Sequence, residues 1–264
     1  MNVKAVSHIG RGMRQINEDA YYVSSKERGY PYLLAVADGM GGHQAGDVAS
    51  RLALEAVTHY LGYEIPRRDA DNVLTIGLLP ALPLDQMDET MSQEDQLFEA
   101  MDWVNTVLYN ASLRKIDLRG MGTTLTLALI DRDQAWVAHV GDSRLYQYRT
   151  GELKQITEDH SLVAEMTRDG LITEAQALVH PRRNVLTRSI GTSSFVESDV
   201  YILDIRAGDR LLLCSDGLAG YISHQSMLRA MANPPEISTQ RLLDLALGST
   251  GTDNITFIVY EHEG

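Results

Sequence analysis

Three aspartates stand at the borders of apolar, strand-like runs that lie far apart in the chain. Asp38 and Asp216 follow such a run, and Asp253 precedes one. Short continuous apolar runs are typical of strands buried inside a sheet-based core, so each carboxylate is expected at the rim of a sheet. Hard cations such as Mg²⁺ and Mn²⁺ take oxygen ligands from a few carboxylates and keep several waters. The pattern predicts a fold built on sheets, with a divalent-metal site at one edge.

The order of the predicted elements excludes a parallel, doubly wound sheet, which would alternate strands and helices strictly. Helices are predicted at 44–61, 93–115, 223–232 and 238–247 from apolar residues at helical spacing. Strands are predicted at 2–9, 20–24, 31–38, 122–130, 134–140, 143–149, 153–156, 199–205, 209–215 and 255–260. Such blocks favour the α+β class, with antiparallel sheets packed face to face and paired helices outside.

Composition excludes several classes of protein. The chain has 264 residues, 44 % of them hydrophobic, and a formal net charge of -13. A core of useful size is possible, whereas a nucleic-acid or anionic-membrane binder would need a basic surface. The single cysteine fits a reducing cytoplasm, and neither a signal peptide nor a run long enough to span a bilayer is recognisable. We expect one cytoplasmic domain over residues 1–264, without nucleic-acid or membrane partners.

Two segments interrupt the regular pattern. Residues 62–91 contain prolines and an acidic stretch with methionines, and we interpret them as a loop insert. Residues 160–190 combine short amphipathic pieces with Gly170, Pro181 and an Arg182–Arg183 pair. Few apolar residues are available to dock this second segment firmly, so it is predicted to be a mobile flap beside the site that influences substrate choice.

Six motifs in order resemble the metal-dependent protein serine/threonine phosphatases, the PPM or type 2C family, and in particular its bacterial branch. The resemblance extends over nearly the whole chain, from about residue 7 to about residue 259. The matching motifs are Arg14–Asp19, Asp38–Gly42, Met121–Thr124, Val140–Arg144, Cys214–Gly217 and Thr252–Thr256.

The resemblance implies a four-layer α-β-β-α sandwich with two Mn²⁺ or Mg²⁺ ions at one edge. By the family pattern, Asp38 bridges both metals, and the backbone carbonyl of Gly39 binds one of them. Asp216 and Asp253 complete the other metal site. A pair of such ions can clamp the attacking and leaving oxygens of a phosphoryl transfer and activate a water between them.

The same pattern assigns supporting and substrate-binding residues. Glu18 and Asp19 are expected to hold metal-bound waters, with Asn254 beside the ligands. Arg14 is expected to act in catalysis by gripping the substrate phosphate, because its planar guanidinium suits bidentate binding of phosphate oxygens.

Two departures from the family leave details open. Many eukaryotic members have a histidine two residues after the bridging aspartate, where this chain has Met40. The leaving group would then be protonated by His43 or by a metal-bound water, and water is favoured slightly. A third metal relies in some members on an aspartate at the position of Gly220, so a third ion would bind weakly or use Asp216 with other ligands.

Other reactive side chains are interpreted as structural. Cys214 follows an apolar run and lacks the arginine six residues later that a cysteine phosphatase requires, because that position is Gly220. Asp142 is interpreted as a tight-turn residue. His139 and His160 are expected in the core or behind the ligands rather than on a metal.

The preferred interpretation is a monomeric phosphatase that acts on phosphoserine and phosphothreonine in proteins and opposes a serine/threonine kinase. Two alternatives remain at this stage. One is a catalytically inactive relative that works as a binding module, against which the intact acidic residues and Arg14 argue. The other is a hydrolase of small phosphorylated metabolites, which a deep closed pocket would favour.

Overall fold

A computed structural model of the chain describes residues 2–10, 16–41, 44–64, 78–80, 91–249 and 251–264. The strands are β1 (Asn2–His8), β2 (Asp19–Val23), β3 (Tyr32–Met40), β4 (Gly122–Thr123), β5 (Leu125–Asp131), β6 (Gln134–Val140), β7 (Arg144–Arg149), β8 (Glu152–Gln155), β9 (Asp199–Asp204), β10 (Arg210–Cys214) and β11 (Ile255–Glu261). The helices are α1 (Gln44–Tyr60), α2 (Gln93–Arg114), α3 (Leu162–Arg168), α4 (Glu174–Leu178), α5 (Asp216–Ala219), α6 (His224–Met231) and α7 (Pro235–Gly248).

The strands form two antiparallel sheets. One sheet has the order β1-β11-β10-β7-β8, and the other has the order β2-β3-β5-β6-β9, with the short β4 paired to β3. Helices α1 and α2 pack on the outer face of the second sheet, and α5, α6 and α7 pack on the outer face of the first. A third apolar core fills the space between the sheets. The predicted α+β class and four-layer α-β-β-α sandwich are therefore confirmed.

Strand β3 is apolar at every position before Asp38, without the usual alternation of apolar and polar residues, because both of its faces are buried. Leu33, Ala35 and Ala37 point to the helices, while Leu34 and Val36 point to the other sheet, and all five are buried. A strand that is covered on both faces has no solvated side for polar residues. Asp38 follows directly, at the point where this double burial ends.

A few element boundaries differ from the predicted ones. Helix α7 begins at Pro235 rather than near 238, because proline is well suited to the first turn of a helix. The predicted strand 122–130 is divided at Thr124, whose backbone N–H donates to the carbonyl of Asp38 at 2.9 Å. The insert 62–91 lies mostly outside the described residues. Among the helices that are described, none is long and apolar enough to cross a membrane.

Candidate metal centre

The predicted acidic residues meet at one end of the two sheets. Asp38 lies near the end of β3 in the helix α1/α2 sheet, opposite Asp19 of β2 in the antiparallel register. Asp216 is the first residue of α5, immediately after β10 of the other sheet, and Asp253 stands just before β11. The hydroxyl of Ser215 donates to Asp19 Oδ2 at 2.8 Å and so ties the two sheets together at this end.

The carboxylates lie close enough for their negative charges to repel one another. Burial raises the pKa of Asp38 well above its usual range, and the charges of Asp19, Asp216, Asp142 and Asp253 raise it further. Like charges held together in a partly buried site disfavour ionisation of every member. The cluster is therefore an oxygen-rich site that is unfavourable without cations.

Asp19 is held more tightly than a solvent-facing carboxylate. Burial raises its pKa to about 7, although hydrogen bonds from Ser215 and Thr256 lower it and the charges of Asp216 and Asp253 raise it. The side chain is buried. Asp19 therefore has a structural role in joining the sheets, and the prediction that it also holds metal-bound water remains a prediction.

Gly39 and Glu18 place the chain close to the first turn of α1. The Gly39 N–H donates to the Glu18 carbonyl at 3.1 Å. A Cβ added to Gly39 would lie 2.0 Å from the carbonyl oxygen of Gly46, so only glycine permits this approach of two backbones. A Cβ on Gly46 would lie 2.8 Å from Glu18 Oε1. The Glu18 carboxylate thus lies at the N-terminus of α1, where the helix dipole stabilises negative charge.

The turn at Asp253 and Asn254 is fixed from several sides. The Glu18 N–H donates to Asn254 Oδ1 at 3.0 Å, and the Asn254 N–H donates to Asp253 Oδ1 at 2.9 Å. A Cβ added to Gly10 would lie 1.8 Å from the Asp253 carbonyl oxygen, and one added to Gly217 would lie 1.7 Å from that of Asn254. Asn254 therefore joins the segment of Glu18 to the turn that carries Asp253.

Asp142 belongs to the same cluster, although the sequence suggested only a turn. It lies between β6 of one sheet and β7 of the other. Burial raises its pKa well above the usual range, and the charges of Asp216 and Asp159 raise it further. Asp142 lies in a turn that passes from one sheet to the other at the edge where the other aspartates lie. That position in the fold is the feature that could have assigned Asp142 to the cluster.

The remaining residues singled out from the sequence are buried behind this cluster or lie outside the described residues. Arg14 and His43 fall outside the part of the chain that the structure describes. Cys214 is fully buried, and burial raises the pKa of its thiol to about 12, as expected of an unreactive structural cysteine. His139 and His160 are also buried.

The residues present fit hard divalent cations. Within the described ranges, no three acidic, histidine or cysteine side chains are placed so that together they could hold a metal ion. Mg²⁺ and its analogues are commonly held by one or two carboxylates and several waters, so such convergence is not required. A bound cation stabilises an all-oxygen donor set of this kind, in which neighbouring charges raise the pKa of Asp38, Asp19 and Asp142.

Comparisons with known proteins agree with this geometry. The family model of protein phosphatase 2C matches residues 6–244. The serine/threonine phosphatase stp of Listeria monocytogenes serotype 4b is 36 % identical over 253 residues, covering 95 % of this chain and 92 % of that protein. The crystal structure of Stp1 from Staphylococcus aureus has a TM-score of 0.84 at 31 % identity, covering 100 % of this chain and 96 % of that one. The catalytic domain of PstP, solved with 2 manganese ions, has a TM-score of 0.78 at 34 % identity, covering 99 % and 98 %. The chain therefore belongs to the protein phosphatase 2C family and is a metal-dependent serine/threonine protein phosphatase.

Proposed function

We propose that the chain hydrolyses phosphoserine and phosphothreonine in proteins at the carboxylate cluster, with Asp38 shared between two divalent ions. The observation that carries this proposal is that Asp38, Asp216 and Asp253 meet at one end of the two sheets, where burial and the neighbouring charges raise the pKa of Asp38. A phosphate dianion would be repelled by this cluster unless cations lay between them. Asp216 and Asp253 would hold one of these ions, and the backbone carbonyl of Gly39 would hold the other.

When bound, the metal ions neutralise the phosphate charge and lower the pKa of a water so that hydroxide is available near neutral pH. The chain's own residues prepare this site. Asn254 fixes Asp253 relative to Glu18, and the Glu18 carboxylate lies at the N-terminus of α1. Glu18 and Asp19 then accept hydrogen bonds from waters in the site.

Arg14 binds the substrate phosphate in this proposal, because a guanidinium offers two parallel donors to phosphate oxygens. Met40, at the end of β3, has no proton to give the leaving alkoxide. We propose that a water molecule donates the proton to the leaving alkoxide, with His43 as the second candidate for this proton donor. A third ion would bind weakly and would use Asp216 together with Asp142, whose charges influence each other.

The exposed surface of the flap segment (160–190) is evidence that the substrates are proteins rather than small metabolites. Its helices α3 and α4 contain no buried residue, and Leu171, Leu178 and Val179 are exposed. The flap is attached at its base, where Leu162 N–H donates to the Val185 carbonyl at 2.8 Å. An exposed surface of this kind offers apolar area to a polypeptide, whereas a metabolite needs an enclosing pocket. We propose that the flap is mobile and contacts the substrate protein.

The substrates are phosphoproteins, and the enzyme that makes them is proposed to be a serine/threonine kinase in the same cytoplasm. A monomer is proposed, acting without nucleic acid or membrane. The residue set 1–264 is proposed to work as one phosphatase domain, with 62–91 as an insert.

Removal and return of metal tests the proposal. EDTA should abolish hydrolysis of phosphopeptides and p-nitrophenyl phosphate, and Mn²⁺ or Mg²⁺ should restore it. Arg14→Ala should mainly raise KM for both substrates. A preference for small phosphorylated metabolites over phosphopeptides would favour the metabolite hydrolase. Metal binding without any turnover would favour the inactive binding module.

A further inference from the structure

The turn at residues 141–143, which we name the cross-sheet turn, carries Asp142 from one sheet to the other. On one side it contacts the segment that supports Asp38. Thr124 Oγ1 lies 2.8 Å from Ser143 Oγ and accepts the Asp38 N–H at 2.9 Å. The position of Asp142 relative to Asp38 is therefore set through Thr124 and Ser143.

The start of the cross-sheet turn, at Gly141, is held by His160. The His160 N–H donates to the Gly141 carbonyl at 2.7 Å, and the Gly141 N–H donates to His160 Nδ1 at 3.2 Å. Gly141 has a φ of 115°, and a Cβ there would lie 2.5 Å from Thr124 Cγ2. Because Gly141 has no side chain to fix the turn, its two backbone bonds to His160 hold the end of the turn that precedes Asp142, while Thr124 and Thr126 hold Ser143 at the other end.

The imidazole of His160 is itself oriented by Asp199, the first residue of β9. Since a backbone N–H can only donate, Nδ1 of His160 must be the acceptor, and the proton of the neutral ring is on Nε2. Nε2 lies 3.1 Å from Asp199 Oδ2. Arg188 Nη1 donates to the other oxygen of Asp199 at 2.9 Å, and the hydroxyl of Tyr201 donates to Asp199 Oδ2 at 3.1 Å. The carboxylate thus fixes both the tautomer and the direction of the ring.

We propose that His160 is a positioning residue that holds Asp142 in the acidic cluster, with Asp199 orienting it, and thereby sets the affinity for the most weakly held divalent ion. The proposal rests on the proposed function, in which these carboxylates bind cations. His160 acts through the cross-sheet turn and touches neither substrate nor metal. It gives a role to a buried histidine that the phosphatase mechanism does not otherwise use.

Two substitutions separate the two nitrogens of His160. Asparagine places its side-chain oxygen near the position of Nδ1, so His160→Asn keeps an acceptor for the Gly141 N–H and loses the contact with Asp199. Glutamine reaches the position of Nε2, so His160→Gln keeps the contact with Asp199 and leaves the Gly141 N–H without its acceptor. A buried donor without an acceptor is the costlier loss. His160→Gln should therefore affect Asp142 more than His160→Asn does.

The test is calorimetric titration of Mn²⁺ into the metal-free full chain, with thermal unfolding of the metal-free protein as a check on folding. His160→Gln should weaken the weakest Mn²⁺ binding step by about tenfold or more, the usual cost of losing a group that supports a ligand. At low Mn²⁺ its kcat for p-nitrophenyl phosphate should fall and should recover in excess Mn²⁺, with KM unchanged. His160→Asn should lie closer to the wild type.

His224→Gln is the control, because His224 is an exposed histidine at the start of α6 whose Nε2 lies 2.9 Å from the Leu153 carbonyl oxygen and which has no bond to the cross-sheet turn among the contacts of the described residues. It should leave Mn²⁺ affinity unchanged. Equal affinities for His160→Gln and the wild type, or equal losses in the Gln and Asn variants, would overturn the inference.

If His160→Gln does not fold, Asp199→Ala replaces it, since Asp199 is only half-buried. It should weaken Mn²⁺ binding in the same direction by a smaller factor, and an unchanged affinity would overturn the proposal. A wild-type chain that binds no Mn²⁺ would instead contradict the proposed metal centre, so the two failures can be told apart.

Discussion

Asp38 is the residue at which stability and activity are most clearly opposed. Its pKa is raised by burial and by four neighbouring carboxylates, so its charge destabilises the metal-free protein. Asp38→Asn keeps the shape of the side chain and removes that charge. We expect the melting temperature of the metal-free protein to rise, while kcat in saturating Mn²⁺ falls by more than about 100-fold, beyond the usual loss for a supporting residue.

Calorimetry and turnover of p-nitrophenyl phosphate measure the two effects. Asp133→Asn is the control, because Asp133 is an exposed carboxylate in the turn before β6. It removes one negative charge far from the cluster and should change neither quantity. Near wild-type kcat in Asp38→Asn would show that Asp38 does not ligate the metals.

Cys214 provides a second prediction for a single residue. Burial raises the pKa of its thiol to about 12, so almost no thiolate exists at neutral pH to attack a phosphate. Cys214→Ala should keep kcat within about twofold of the wild type, and iodoacetamide should not inhibit the native enzyme. Complete loss of activity in a folded, metal-loaded Cys214→Ala protein would contradict this prediction and would indicate that the Cys214 thiol attacks the phosphate.

At the scale of elements, the sequence predicts most strands and helices. Buried positions recur at the spacing of a strand or a helix, and the apolar residues in the sequence follow that spacing. The double burial of β3 gives an uninterrupted apolar run, and α2 places Leu97, Met101, Val104 and Leu108 in the core at helical spacing. Asp142 was not predicted as part of the site. Its local sequence fits a tight turn equally well, and only the crossing between sheets brings it to the cluster.

The flap segment is the element whose proposed role is most open to experiment. Arg182 and Arg183 are exposed in an otherwise acidic protein. Changing both to alanine should lower kcat/KM for phosphopeptides with acidic neighbours several-fold, because complementary charge promotes association. Hydrolysis of p-nitrophenyl phosphate should be spared, since that substrate is too small to reach them.

The matched control changes Arg229 and Arg241 to alanine. Both are exposed on helices α6 and α7 of the outer layer, and their loss alters net charge by the same amount. This variant should behave like the wild type on both substrates. Equal losses on phosphopeptide and p-nitrophenyl phosphate in the flap variant would mean that the segment supports the metal centre instead of selecting substrates.

At the scale of the whole molecule, the site exists only where the two sheets are joined. Ser215 donates to Asp19 across a sequence separation of 196 residues, and Asn254 bonds to Glu18 across 236. Contacts of this range leave no periodic signal in the chain, so composition and spacing alone could identify the acidic residues but not these connections. The resemblance to the family is what assigns these acidic residues to one common site.

The last prediction concerns how pH and metal act on the stability of the whole fold. The pKa of Asp19 rises from 3.8 to about 7 on folding, so the folded chain binds a proton that the unfolded chain has released in that range. The free energy of unfolding of the metal-free protein should therefore lose this contribution as pH rises from about 4 to about 7. His139 acts in the opposite direction, because burial lowers its pKa to about 3 and its stabilising contribution is lost as pH falls below 6.5.

Mn²⁺ separates the two effects, since it acts on the carboxylates and leaves His139 unchanged. Ionised carboxylates bind the cation, and a ligand that binds only the folded state stabilises it. The rise in melting temperature on adding Mn²⁺ should therefore be larger at about pH 8 than at about pH 5. Asp19→Asn should flatten the metal-free profile between these values, which calorimetry can follow. A rise that is equal at both pH values would mean that the acidic residues do not hold the cations, because protons and metal would then not compete for the same oxygens.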